Sequence, residues 1–207
     1  CINVLVGEKE NTTAAKLRVL QIGEDTESLI FEVRINYDDY TFKNGGVYLT
    51  SAGGLDVTID WGDGVEKIYN KVKPSWTYGS EITGKLGASK TITIKGDITY
   101  LEISEMQISA ATFANTKLKE VDMEKNQLTD FNLSGLPEVT KLSLNENSIV
   151  TFSSTGNSVL KNLGLKSNKI DSHQFEISSL ANSLEQLNVS ENGENFVALN
   201  LINFDKL

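Results

Sequence analysis

Apolar and polar residues alternate along this chain with two different periods, and the change of period divides it. In the first half the period is two. Over residues 28–37, Leu29, Phe31, Val33, Ile35 and Tyr37 share one face, and Glu32, Arg34 and Asn36 share the other. That is the pattern of a half-buried strand. Leu55, Val57, Ile59 and Trp61 alternate in the same way with Asp56, Thr58 and Asp60, and the run ends in Gly62-Asp-Gly64, a turn of residues that tolerate positive φ. Residues 65–69 return as the partner strand, residues 90–95 alternate again, and residues 16–22 and 47–49 predict weaker strands. Nothing before residue 97 has a helical period. This half predicts a small antiparallel β-sandwich over residues 16–96, preceded by a tether or loosely held segment at residues 1–15.

From residue 97 a longer repeat takes over. Leu118-Lys-Glu-Val121-Asp-Met123-Glu-Lys-Asn126-Gln-Leu128 sets apolar residues at positions one, four, six and eleven and Asn at nine. The same places are filled by Val139, Leu142, Leu144, Asn147 and Ile149, then by Leu160, Leu163, Leu165, Asn168 and Ile170. A further copy has Leu184, Leu187, Val189 and Asn192. An earlier copy, Ile98, Leu101, Ile103, Met106 and Ile108, has Met in place of the Asn. Positions four and six lie two apart, so in a strand both point into the core. One strand cannot bury that face alone, whereas stacked copies bury a continuous core and pair in a parallel sheet. The Asn amide both donates and accepts, so Asn126, Asn147, Asn168 and Asn192 are expected to form a structural ladder serving the turn and the next coil.

This spacing resembles the leucine-rich-repeat signature L-x-x-L-x-L-x-x-N-x-L. The resemblance implies a short solenoid over residues 97–207, with repeats starting near 98, 118, 139, 160 and 184 and a parallel sheet on its concave face. Ser, Thr, Gly and Asp are common in the outer returns, which predicts short turns or 3-10 segments there. Phe131 and Phe152 hold the same place in their repeats, and in the next repeat Phe175 arrives two residues after that place, which His173 holds. The run Leu199-Asn-Leu201-Ile-Asn-Phe204 reads as the counterpart of Phe131-Asn-Leu133-Ser-Gly-Leu136. No polar cap follows it, so further chain or a partner is expected over that end. The mainly β chain is thus expected to be a sandwich followed by a solenoid, with the sandwich packed against the first coil.

A second resemblance lies in Thr58-Ile-Asp-Trp-Gly-Asp-Gly64. This segment is similar to the W-x-x-G-D-G hairpin of PKD-like, Ig-type domains in a shortened D-W-G-D-G form, with Trp76-Thr-Tyr78 standing for that family's next element. A D-W-G-D-G domain joined to short leucine-rich repeats resembles the BspA-like surface proteins of gut and oral Bacteroidetes. This implies a non-catalytic module at the bacterial cell surface that recognises a protein partner. Cys1 is the sole cysteine and the first residue. It reads either as the lipidated residue of a mature outer-membrane lipoprotein or as a chain start that falls there by chance. Without other cysteines there is no internal disulfide framework.

Composition narrows the partners. A formal net charge of −9 over 207 residues argues against nucleic acid and anionic membranes, because phosphate binding needs a basic face. Membrane attachment is expected only through Cys1. The residues displayed on the concave face include Tyr100, Glu102, Glu120, Asp122, Glu124, Lys141, Ser143, Asn145, Asn162, Lys166, Gln186 and Asn188. The first rows are acidic, which suits a basic protein patch. The alternative is a glycan-binding accessory lipoprotein of a polysaccharide-utilisation system, with Trp76, Tyr78 and Tyr100 as stacking groups. Asp60 and Asp63 are weak candidates for a Ca²⁺ turn and stronger ones for holding that turn through backbone N–H groups. A Ser-His-Asp or Cys-His set would have to use the single His173 on an outer return, and zinc lacks N and S ligands. Carboxylates are plentiful enough for a hydrolase, yet none stands out as a pair. The expectation is a protein without enzymatic activity and without a cofactor.

Overall fold

The computed structural model describes residues 28–33, 47–51, 56–69, 80–82, 84–114 and 116–207. The N-terminal tether, the strand expected at residues 16–22, Cys1, Trp76 and Tyr78 lie outside them. The chain is mainly β, with 34% strand and 4% helix, and combines an antiparallel sheet with a parallel β-solenoid of about four turns.

The antiparallel sheet has the order β4-β3-β6-β1-β8. Its strands are β1 (Ser28–Val33), β3 (Val57–Asp60), β4 (Glu66–Tyr69), β6 (Thr91–Lys95) and β8 (Ile108–Ala114). The alternation read from sequence is the burial pattern of its centre: Val57, Ile59, Trp61, Ile92 and Ile94 have no exposed surface. Trp61 directly follows β3, and its indole Nε1 donates to the Tyr69 hydroxyl at 2.9 Å. Gly84 and Gly87 let other segments come close. A Cβ at Gly84 would lie 2.1 Å from the Trp61 ring, and one at Gly87 would lie 2.3 Å from the Gly62 backbone.

A seven-stranded sheet has the order β15-β13-β11-β9-β7-β2-β5. The strands β7 (Ile98–Glu102), β9 (Glu120–Asp122), β11 (Lys141–Ser143), β13 (Asn162–Gly164) and β15 (Gln186–Asn188) run parallel. The register places Leu101, Val121, Leu142, Leu163 and Leu187 in one column. Beyond β7 the sheet turns antiparallel, with β2 (Val47–Ser51) and then β5 (Ser80–Ile82). On the outer side of the solenoid, β10 (Asp130–Asn132), β12 (Thr151–Ser153) and β14 (Phe175–Glu176) form a third, parallel sheet. Two 3-10 turns, Ser172–Gln174 and Ser178–Leu180, lie in the outer returns.

The first coil therefore gives a strand to each neighbouring sheet. β7 pairs with β2, and β8 pairs with β1. One buried core runs from Val57 to Leu184 without a break.

Three details differ from the sequence reading. The asparagine ladder points backwards. Asn126 Nδ2 donates to the Ile103 carbonyl of the preceding coil at 2.8 Å, and its Oδ1 accepts from the Ile108 and Met106 N–H groups. Asn147, Asn168 and Asn192 repeat this on Met123, Leu144 and Leu165. The phenylalanine column is also longer and placed differently. Phe113 packs on Phe131 with ring centroids 5.9 Å apart, and Phe175 packs on both Phe152 and Phe196 at 5.7 Å. The counterpart of Phe131 in the last coil is thus Phe196, because the Asn192-Gly193 corner is followed by a shorter return. Finally, a second buried amide, Asn157, joins two coils. It donates to the Leu136 and Val139 carbonyls and accepts from Val159 and Leu160.

Candidate functional site

The strand register of the solenoid sets out its polar face in columns. One column reads Tyr100, Glu120, Lys141, Asn162, Gln186; the next reads Glu102, Asp122, Ser143, Gly164, Asn188. In the first four strands these positions alternate with buried Leu101, Val121, Leu142 and Leu163, and in the last with the partly buried Leu187, so the polar positions face away from the core. The next displayed places are Ser104, Glu124, Asn145, Lys166 and Ser190. Strand pairing therefore brings Tyr100, Glu102, Glu120, Asp122 and Glu124 together on two adjacent coils, and spreads Lys141, Ser143, Asn145, Asn162, Lys166, Gln186 and Asn188 over the other three.

The acidic part is not a loose cluster of charges. The Tyr100 hydroxyl donates to Glu102 Oε2 at 2.7 Å. Ser104 Oγ donates to Asp122 Oδ1 at 3.1 Å, and the Glu124 N–H donates to the same oxygen at 3.0 Å. Asn145 Nδ2 donates to Glu124 Oε1 at 2.6 Å, and the Ser143 hydroxyl donates to it as well. Lys141 lies 3.7 Å from Glu120. Each acid of the coil starting at 118 is thus oriented by a neighbour from the coil before or after it.

Crowding acts on the protonation of this face. Burial pushes the Asp122 carboxyl above its ordinary value of 3.8, against the pull of the Glu124 N–H, and the negative charges of Glu124 and Glu102 push the same way. Burial likewise raises the Tyr100 phenol, helped by its hydrogen bond to Glu102 and by the nearby carboxylates. The later rows mix the cations Lys141 and Lys166 with amide and hydroxyl side chains, several of them bonded to one another. Asn162 Nδ2 donates to Gln186 Oε1 at 2.6 Å, and Asn145 Oδ1 accepts from the Lys166 N–H at 2.8 Å. Gly164 leaves a low point between them, where a Cβ would stand 3.0 Å from Asn145 Oδ1.

The corner that follows each parallel strand of the seven-stranded sheet has one backbone form. Glu105, Lys125, Glu146, Ser167 and Glu191 all have φ between 54° and 60°. This left-handed residue turns the chain so that the residue behind it, Met106 in the first coil and an asparagine in the others, points inward. The corners also carry inter-coil ion pairs: Lys125 with Glu105 at 2.7 Å, and Lys166 with Glu191 at 3.2 Å. No sequence signal announces this corner, because Glu, Lys and Ser occupy a place where Gly or Asn would be the usual sign.

The other candidates lie elsewhere. Asp60 Oδ1 accepts from the Gly62 and Gly64 N–H groups at 2.8 and 3.1 Å, and Asp63 Oδ1 accepts from the Val65 N–H at 3.1 Å. Both carboxylates hold the turn after β3, and the Val65 N–H lowers the Asp63 carboxyl below its ordinary value. Among the described residues, no group of three or more His, Cys, Asp or Glu side chains is placed to hold a metal ion. His173 is exposed on an outer return, with Nδ1 3.0 Å from Asp171 Oδ1. The adjacent Ser172 hydroxyl donates to the Asn195 carbonyl. No helix among the described residues is long and apolar enough to cross a membrane.

No known family model matches the chain, and no curated protein and no solved structure matches it.

Proposed function

We propose that this chain is a non-catalytic, cofactor-free binding module of a bacterial cell surface that recognises a basic patch on a protein partner through the concave face of its solenoid. The observation that carries this reading is the set of acids Glu102, Glu120, Asp122 and Glu124. They stand side by side on β7, on β9 and just after it; Tyr100 of the same coil holds Glu102, and neighbouring coils hold the other three. Acids held in position before binding lose little side-chain freedom on contact, and their charge steers a cationic partner. In this reading the solenoid is of the leucine-rich-repeat type and residues 16–96 form an Ig/PKD-like domain. The buried Trp61 and the carboxylate-held turn behind it support that assignment. The surface location, with Cys1 as a lipid anchor, belongs to the same reading and rests on the resemblance to BspA-like proteins.

The test is a binding screen against extracellular-matrix proteins and a glycan array, run with the chain and with a variant carrying Glu120→Lys, Asp122→Lys and Glu124→Lys. A milder variant, Asp122→Asn with Glu124→Gln, guards against loss of fold. Protein binding that weakens in both variants and with rising salt is the expected result. Glycan binding untouched by either variant would overturn the concave-face reading. It would favour a glycan-binding accessory lipoprotein, with Trp76, Tyr78 and Tyr100 as stacking groups.

A further inference from the structure

The four asparagine rungs are followed by different residues: Asn126 by Gln127, Asn147 by Ser148, Asn168 by Lys169 and Asn192 by Gly193. The residue after an asparagine supplies the backbone nitrogen that can close a five-membered ring on the side-chain amide carbon. In three rungs the preceding coil holds this N–H. Gln127 donates to the Ile108 carbonyl at 2.8 Å, Ser148 to Leu128 at 2.9 Å and Lys169 to Ile149 at 2.9 Å. By the same spacing Gly193 would donate to Ile170. Instead its N–H meets no acceptor among the described residues. These bonds all run backwards along the array, so the contrast is the same whatever packs on the far side of the coil starting at 184.

The backbone at this corner is open as well. Gly193 has a φ of 81°, a left-handed value that glycine adopts without strain. A Cβ there would meet nothing within 4 Å, and the residue is exposed, so water and base reach its nitrogen. Its carbonyl accepts from the Phe196 N–H, which starts the short outer return. The Asn192 side chain is itself buried. Its Nδ2 donates to the Leu165, Val189 and Ser190 carbonyls at 2.9, 2.8 and 3.3 Å, and its Oδ1 accepts from the Ile170 N–H at 3.1 Å. The other rungs carry the same kinds of bond, so the cost of freeing the amide is common to all four. The nucleophile is what sets Asn192 apart.

We propose that Asn192-Gly193 is a site of spontaneous deamidation, which breaks the rung between the coils starting at 160 and 184. The Gly193 nitrogen attacks the Asn192 side-chain carbonyl carbon, Cγ. The N–Cγ bond forms, the Cγ–Nδ2 bond breaks, and Nδ2 leaves as ammonia with the proton that Gly193 gives up. Water then opens the cyclic imide at one of its two carbonyls, leaving aspartate or iso-aspartate in place of Asn192. Either product sets a carboxylate where Nδ2 had donated to the Leu165, Val189 and Ser190 carbonyls. Donation to a carbonyl becomes repulsion from it, in a buried place. The change is irreversible, so it marks the age of the folded chain at one seam of the array and loosens that seam.

The test is to age the folded full chain at mildly alkaline pH, well below its melting temperature, and to follow each asparagine by tryptic mapping and mass spectrometry. Asn44, which glycine also follows, falls in a separate tryptic peptide and is read apart. Asn192 should change at least about tenfold faster than Asn126, Asn147 or Asn168, and Gly193→Ala should slow it by about the same factor. Ser148→Gly is the second variant. It gives Asn147 a following glycine whose N–H the Leu128 carbonyl still holds, so Asn147 should remain slow. Aged chain should unfold at a lower denaturant concentration than fresh chain, and the shift should shrink in Gly193→Ala. A rate at Asn192 no higher than at the other three rungs would overturn the proposal. So would an Asn147 that reacts as fast as Asn192 in Ser148→Gly, because the free N–H would then play no part.

Discussion

Asn147 shows how much one side chain can specify. Its amide nitrogen faces the Met123, Leu144 and Asn145 carbonyls, and its oxygen accepts from the Leu128 N–H. Asn147→Asp keeps the shape and sets a carboxylate oxygen against three carbonyls. The loss at neutral pH should exceed about 3 kcal/mol, above the ~1–3 kcal/mol of one unsatisfied buried group. Such a carboxyl has a raised folded pKa, so the loss is full above that pKa and shrinks as the pH falls through it. Denaturant midpoints at two pH values read this directly. Asp122 follows the same rule more gently. Its folded pKa is raised, chiefly by burial, so its ionisation costs stability above that pKa, and the cost vanishes below the unfolded value. Asp122→Asn, which still accepts from Ser104 and Glu124, should raise the melting temperature at pH 7. The gain should close as the pH falls to about 4. A gain that persists in acid would point to a cause other than charge.

At the scale of the element, the corner after each parallel strand of the seven-stranded sheet is the informative unit. Its residue sits in the left-handed region at a cost of about 1–2 kcal/mol for an ordinary side chain, and a β-branched one is tolerated least. Glu146→Val should therefore destabilise by about 1–2 kcal/mol, while Glu146→Asn should be neutral or favourable. Thermal melts of the two variants side by side would settle the sign. These corners mark the limit of what the sequence discloses. The strands were legible, because burial of one face imposes a period of two on Val57, Ile59 and Trp61 and on positions four and six of every repeat. The rungs were legible because only an amide both donates and accepts there, though not their direction, which depends on how coils stack in space. Asn157 carried no repeat to betray it. The segment that becomes β8 reads Ile-Ser-Ala-Ala-Thr-Phe-Ala, with too little contrast to announce a strand. Its pairing with β1 is a tertiary choice. The candidate concave face was legible as an order of residues. The bonds from Ser104 to Asp122 and from Ser143 and Asn145 to Glu124 were not, since they join side chains about twenty positions apart.

At the scale of the molecule, β7 and β8 decide how the two halves respond to stress. Cutting the chain before Asp97 would strip both strands of an antiparallel neighbour, so the solenoid has no independent first coil. Gly135 adds a close contact at this seam, because a Cβ there would lie 2.0 Å from the Phe113 carbonyl oxygen of β8. A repeat array with weak interfaces would unfold in stages. Here one core and two shared sheets predict a single transition. The two tryptophans, Trp61 and Trp76, both precede the solenoid, so fluorescence reports the N-terminal half and far-ultraviolet circular dichroism reports the whole. Leu144→Ala removes a fully buried side chain two coils away from that half, at a cost of ~2–5 kcal/mol. If the seam transmits this loss, the tryptophan and dichroism midpoints fall together and by the same amount. A dichroism transition that moves while the tryptophan signal stays in place would mean that the halves unfold separately, with β7 and β8 as a junction that yields first.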